Sequence, residues 1–147
     1  MHRSAVGRPR AERIRQVRER EASVSDFASY VPTEGTVARL AGWAASGAEI
    51  AYLSSHRRTV DVAADEVVLR AHGFPPGPVL HRRPGESYAD VAARAGADVV
   101  VEDDCESIGG AREMVVPDPA RAPGLRAVMV PEFGGLAHLP DSPASLG

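Results

Sequence analysis

Two places in the sequence gather side chains able to do chemistry, and each follows a short apolar run. The first is Ile50-Ala51-Tyr52-Leu53 leading into Ser54-Ser55-His56-Arg57. A small hydroxyl where a strand ends and a helix begins can offer a phosphate oxygen its O–H beside nearby backbone N–H groups. A serine in a strand-to-helix turn is more usually a cap for that helix. The second place is Val99-Val100-Val101 leading into Glu102-Asp103-Asp104. Carboxylates crowded at the mouth of a buried strand repel one another and need something positive beside them. Mg²⁺ is the usual answer where phosphate is handled, held by one or two carboxylates and several waters. Asp103 and Asp104 are therefore candidate metal ligands, with turn capping as the alternative use of the same residues.

Both places must be positioned by strands, and the pattern supplies them. Residues 49–53, 79–80, 98–102, 114–116 and 125–130 read as short strands, the 98–102 run as a fully buried one because it is β-branched and does not alternate. Helices are predicted after Thr33 or Thr36 as a cap, with Val37, Leu40, Ala41 and Ala44 on one face, then over 60–72 and 87–95. Gly73 and the Pro75-Pro76-Gly77-Pro78 run stop the second of these. Strands alternating with such helices predict an α/β fold with a mostly parallel sheet, and ligands then bind beyond the carboxyl ends of the strands. Residues 1–34 read as a basic arm and a minimal flap, 35–139 as the α/β core and 140–147 as a flexible tail.

A chain of 147 residues that is 44% hydrophobic and 25% charged is of one-domain size and too apolar for wholesale disorder. No apolar run approaches a membrane span, and no apolar leader is visible at the start. All 17 basic residues are Arg, so any lysine-dependent chemistry would have to find a substitute. Seven of those Arg stand against two Glu in residues 1–20, a net of +5 on a body of −8. Such an arm could meet nucleic acid, or could simply be a solvated helix laced with Glu–Arg pairs. Ala11, Ile14 and Val17 give it a narrow apolar stripe for docking.

The single Cys105 excludes an internal disulfide and a cysteine-based zinc site, and fits a reducing cytoplasm. A cysteine phosphatase loop is also disfavoured. Six residues rather than five separate Cys105 from Arg112, and the surrounding acids would raise the thiol pKa. The histidines at 56, 72, 81 and 138 show no paired ligand spacing, although His56 could touch a ligand from its loop.

Taken together, the strand ending in Ser54-Ser55, the following helix, the basic loop and the strand ending in Asp103-Asp104 resemble the haloacid dehalogenase-like (HAD) superfamily. The likeness runs over about residues 37–139. It implies a Rossmann-like three-layer sandwich, capless or with a minimal cap, acting as a phosphatase on phosphoesters with Mg²⁺. By that resemblance Ser54, with Ser55, would bind the phosphoryl group, and Asp103, with Asp104, would help to hold the metal. The family's basic residue should stand about where Tyr88 is, which leaves Arg82 or Arg83 as the substitute.

The family's first motif, a strand ending Asp-x-Asp that carries the nucleophile, has no counterpart in the chain. Asp26 lacks a preceding apolar strand and reads as a loop residue. The expectation is that the reading frame begins roughly a dozen residues too late, by one strand and its motif. Without that strand, those ending at Ser54 and Asp103 would have no common neighbour. The chain as it stands is then expected to be inactive, and an upstream-extended one to show Mg²⁺-dependent hydrolysis that Asp103→Asn abolishes. The other expectation is a non-catalytic HAD-like domain that binds a phosphorylated ligand, nucleic acid or a protein partner. A site left open by so short a cap suits a bulky phosphoester, or a lid from a partner subunit in a homo-oligomer.

Overall fold

From Tyr52 to Asp103 strand and helix alternate, as the hydrophobic periodicity requires. The computed structural model describes residues 1–115, 119–120 and 122–146. Its helices are α1 (Arg10–Arg18), α2 (Thr36–Ala45), α3 (Thr59–Ala71) and α4 (Tyr88–Ala95). Its strands are β1 (Tyr52–Ser54), β2 (Val79–His81), β3 (Val99–Asp103) and β4 (Arg126–Val130). Short 3₁₀ turns at Ala22–Val24 and Phe27–Ser29 fill the irregular stretch between α1 and α2.

The chain is a mixed α/β protein with parallel strands in two small sheets. β1 pairs with β2 from Tyr52 opposite Val79 to Ser54 opposite His81. β3 pairs with β4 from Val99 opposite Arg126 to Asp103 opposite Val130. β1 and β3 share no strand neighbour among the described residues. On the side of β1 turned away from β2, the Leu53 carbonyl accepts a hydrogen bond from Tyr88 Oη at 3.0 Å. A phenol thus satisfies a backbone acceptor that a sheet neighbour would otherwise take.

Local chemistry explains most boundaries. Ser87 Oγ accepts the Asp90 N–H at 3.1 Å while Asp90 Oδ2 accepts the Ser87 N–H at 2.8 Å, a reciprocal box that starts α4. Gly96, at φ +65°, ends it in the left-handed conformation that glycine adopts without strain. Helix α2 corrects the expected threonine cap. Gly35, at φ +71°, takes the cap position, and Thr33 and Thr36 instead bond each other through their hydroxyls at 2.6 Å.

Four further expectations are corrected. β3 is half-buried along its whole length rather than fully buried, because neither β3 nor β4 packs extensively on a helix. Met114 and Val115 form no strand, and Val116 lies outside the described residues. The apolar stripe of α1 is incomplete: Ile14 is buried, Ala11 is exposed, and Gln16 takes the second buried place. Residues 140–146 are docked rather than frayed. Leu146 is buried and its carbonyl accepts from Arg126 Nη1 at 2.5 Å, while the buried Trp43 donates its Nε1–H to the Pro140 carbonyl at 3.0 Å. No helix among the described residues is long and apolar enough to cross a membrane.

Candidate functional site

The carboxyl ends of β1 and β2 lie next to each other in the parallel register, so the segments leaving Ser54 and His81 converge. They enclose a cavity of about 380 Å³ lined by Arg57, Arg82, Arg83, Pro84, Gly85 and Glu86. Arg82 is fixed there by its Nη2 donation to the Ser55 carbonyl at 3.2 Å and by its guanidinium carbon 5.7 Å from the centre of the Tyr88 ring. Its Nε is buried with no hydrogen-bond partner. None of the three arginines forms an ion pair with a described carboxylate. Glu86, the one acid on the wall, is held by Arg94 through Nη2 at 3.1 Å and by the Arg83 backbone N–H at 2.8 Å. Those two contacts, Arg94 first, keep its carboxyl below the ordinary range. The result is a pocket with uncompensated positive charge, a setting that attracts an anion.

Ser54 and Ser55 part company at this point. Ser55 is exposed beside the cavity. Ser54 is buried, donates from Oγ to Asp65 Oδ2 at 2.6 Å, and accepts the His56 N–H at 3.1 Å. Asp65 reaches it because α3 begins just after the turn and carries that carboxylate back under the strand end. The same Oδ2 lies 3.0 Å from His56 Nδ1, and the imidazole rests on the Phe27 ring with centroids 4.1 Å apart. With an ionised Asp65 this geometry requires the proton on Nδ1, leaving Nε2 outside the cluster.

The acidic end of β3–β4 is built differently. Asp104 accepts Arg10 Nη2 on both oxygens, at 3.2 and 3.0 Å, and its Oδ1 also takes the N–H groups of Glu106 and Glu132 at 3.3 and 3.1 Å. Arg10 further donates to Glu106 Oε2 at 2.6 Å and to the Glu132 carbonyl at 3.0 Å. Its bond to Glu106 leads the effects that raise its own pKa and hold it charged. Asp103 Oδ1 accepts the Cys105 N–H at 2.8 Å, a turn-capping contact. Glu102 takes the Val115 N–H at 2.5 Å, and the buried Glu132 takes the N–H and O–H of Ser107 at 2.7 and 2.5 Å. Burial raises the pKa of both glutamates against those bonds.

The positive partner of Asp104 and Glu106 is therefore the chain's own Arg10. A magnesium ion at Asp103 and Asp104 would have to sit beside that guanidinium, whose positive charge on both Asp104 oxygens disfavours a second cation there. The donor set as arranged does not fit a metal site. Among the described residues no three His, Cys, Asp or Glu side chains group closely enough to hold one.

Most of the arm's charge is likewise engaged within the chain. Arg15 pairs with Glu12 at 2.6 Å, with Glu21 at 3.2 Å and with Glu19, and Arg18 reaches Glu106 at 3.8 Å. Arg13 donates to the carbonyls of Arg8 and Phe133 at 2.7 and 3.3 Å. The amino group of Met1 is buried against the Val31 carbonyl at 2.6 Å, and burial followed by Arg13 lowers its pKa to about 6. Burial, then Asp103, pushes the Cys105 thiol up to about 12, which leaves no thiolate nucleophile. Tyr88 is half-buried, and desolvation, then the charge of Glu102, raises its pKa, so the phenol stays protonated as the donor to Leu53.

Arg57, Asp65 and Arg10 are the residues that sequence reasoning left without a role. Arg57 stood inside the first motif, but nothing local showed it joining Arg82 and Arg83 across the sheet. Comparison of the chain with family models, curated proteins and solved structures returned no match.

Proposed function

We propose that this chain is a phosphate-recognising α/β domain that binds a phosphorylated ligand at the carboxyl ends of β1 and β2. The observation that carries the reading is the convergence of Arg57, Arg82 and Arg83 on one cavity with no described carboxylate paired to them. Arginine is the side chain best matched to phosphate, through its planar fork of donors. Ser55 adds a hydroxyl at the rim. Ser54 acts one step back, by fixing the turn through Asp65. In this reading β2–β1 and β3–β4 are the halves of one HAD-like, Rossmann-type three-layer architecture, and the HAD resemblance supplies the ligand class.

Binding without turnover is the form of the activity that the residues support. The chain contains no Asp-x-Asp pair to serve as nucleophile and acid, and the acidic end is closed by Arg10. Titration calorimetry with inorganic phosphate and with phosphoserine, with and without Mg²⁺, tests this. Expected are saturable binding of both, weakening with salt as screened charges must, and no release of phosphate from p-nitrophenyl phosphate in either condition. Binding no stronger than that of chloride would overturn the proposal. Metal-dependent hydrolysis lost in Asp103→Asn would return the acidic end to the catalytic role that the resemblance implies.

A further inference from the structure

The side chains that line the arginine cavity hold donors in excess of acceptors. Arg57, Arg82 and Arg83 offer only N–H groups, Pro84 and Gly85 have no polar side chain, and Glu86 is the one acid. Both Glu86 oxygens are engaged, Oε1 by Arg94 Nε at 3.1 Å and Oε2 by Arg94 Nη2 at 3.1 Å and the Arg83 N–H at 2.8 Å. Nearby carbonyls are engaged as well. That of Ser55 accepts Arg82, that of His81 accepts Arg94 Nη2 at 2.9 Å, and that of Arg83 accepts the Glu86 N–H at 3.0 Å. A sugar or other hydroxylated body brings O–H donors and is poorly matched to such a wall. An aromatic or aliphatic body is matched no better, because Pro84 is the one apolar side chain in the lining and Arg82 covers a face of Tyr88. What the wall suits is a ligand made of acceptors.

Size and charge bear on how many acceptor groups that ligand carries. A cavity of about 380 Å³ has the room of a small molecule rather than of a lone oxyanion. A single phosphoryl group carries about 1.5 to 2 negative charges near neutral pH, which leaves about one of the three guanidinium groups unmatched. A diphosphate group carries about 2.5 to 3 and matches them all. The neighbouring charges do not alter this count. Glu86 is balanced by Arg94, Arg58 is paired with Asp61 at 3.7 Å, and Asp65 is turned to Ser54 and His56. The three free cations reach the cavity from two sides, Arg57 after β1 and Arg82 and Arg83 after β2. The second side is braced. Arg82 is tied to the Ser55 carbonyl at 3.2 Å, and the Arg83–Glu86 bond closes a turn with Pro84 and Gly85 at its centre, Gly85 at the φ of +82° that such a turn requires. Donors fixed in this way lose little freedom on binding, which favours a ligand of fitting length over one that is merely charged.

We propose that the ligand of this cavity is a diphosphate group, held between Arg57 on the β1 side and Arg82 and Arg83 on the β2 side. The proposal rests on the phosphate-recognising reading of the same site and narrows it from one phosphoryl group to two in a row. The guanidinium forks supply the donors, and the phosphate oxygens supply only acceptors, so the mismatch that a sugar or a base would bring does not arise. Free diphosphate and the diphosphate of a larger molecule share this chemistry. In the second case the rest of the molecule lies outside the cavity, since nothing in the lining is built to hold it.

Titration calorimetry with phosphate, pyrophosphate and tripolyphosphate, at one ionic strength and with a chelator present, tests it. Pyrophosphate is expected to bind one-to-one and at least about tenfold more tightly than phosphate, and tripolyphosphate no more than about threefold more tightly than pyrophosphate. Equal affinity for phosphate and pyrophosphate would overturn the diphosphate assignment and leave the phosphate-recognising reading standing. Binding of none of the three would overturn both. A further step of about tenfold from pyrophosphate to tripolyphosphate would also overturn the assignment, because a surface that only counts charge behaves that way. ADP separates the two sources: affinity equal to that of pyrophosphate supports the diphosphate of a larger molecule, and affinity about tenfold lower or weaker supports the free anion. Arg57→Gln and Arg83→Gln locate the site. Each is expected to weaken pyrophosphate at least about tenfold at an unchanged unfolding midpoint, and pyrophosphate binding that neither variant alters would overturn the proposal.

Discussion

The two sheets end in opposite electrostatic conditions. Both are parallel pairs, and both finish in polar residues at their carboxyl ends. At the end of β3–β4 the charge is closed from within, because Arg10 arrives from an element that precedes β3 by most of the chain and grips Asp104 and Glu106. At the end of β1–β2 the charge is left open, with Arg57, Arg82 and Arg83 around a cavity and no described acid paired to them. The difference teaches where to look for a ligand. A crowd of carboxylates looks like a metal site until the rest of the fold is counted, and the unmet charge then lies at the other sheet.

The largest expected effect tests the closed end. Arg10→Met removes the cation while leaving Asp104 and Glu106 in place beside the buried Glu132. Breaking a fully buried pair costs about 3–5 kcal/mol. The Arg10 side chain is 39% exposed, so screening reduces the expected loss to about 2 kcal/mol. Urea unfolding should show it as a lower midpoint at unchanged slope. Adding Asp104→Asn to Arg10→Met should recover part of the loss, since the two positions are directly coupled. A loss within about 0.5 kcal/mol, the range of ordinary surface substitutions, would break the comparison by showing that the acids need no partner.

How much of this was legible in the sequence follows from what is local. Helices α3 and α4 and strands β2 and β4 could be read closely, because caps, glycine stops and β-branched runs act over a few residues. The type of β3 was legible, but its burial was not, since burial depends on which helix covers a sheet. Arg82 and Arg83 were found as substitutes for a missing lysine. Their union with Arg57 needed the β1–β2 pairing. Asp65 carried no signal at all: an acid on a predicted helix is unremarkable until the turn of the chain brings it under Ser54. Arg10 was visible only as one of seven arm arginines. The tail gave the wrong signal, because small residues and prolines there resemble a frayed end while Trp43 and Arg126 hold it by its carbonyls.

The open end should respond in ligand binding and not in stability. Arg57→Gln and Arg83→Gln each remove one cavity cation without removing an ion pair, so stability should stay within about 0.5 kcal/mol of the parent. Phosphate affinity should fall about tenfold in each, the loss of one charge-assisted contact. Arg82→Gln is expected to do more, because it also releases the Ser55 carbonyl and the Tyr88 ring. Calorimetric titration of phosphate, paired with urea unfolding of the same samples, separates the two quantities. An unfolding midpoint that dropped while affinity held would show that these arginines serve the fold, and the contrast between the sheets would disappear.

The smallest effect concerns Asp65, a carboxylate set behind the end of β1 without lining the cavity. Asp65→Asn keeps an acceptor for the Ser54 hydroxyl and can still meet His56, but it removes a full negative charge behind the strand end. If Asp65 serves only to hold the turn, phosphate binding should tighten roughly threefold at low salt, and the gain should fade as ionic strength rises. Replacing Ser54 by Ala removes the hydroxyl but leaves the charge, so it should loosen the turn without that gain. A fall in affinity on Asp65→Asn would sharpen the picture in the other direction. It would mean that the carboxylate works through the imidazole it orients, and that His56 belongs to the ligand's surroundings along with the three arginines.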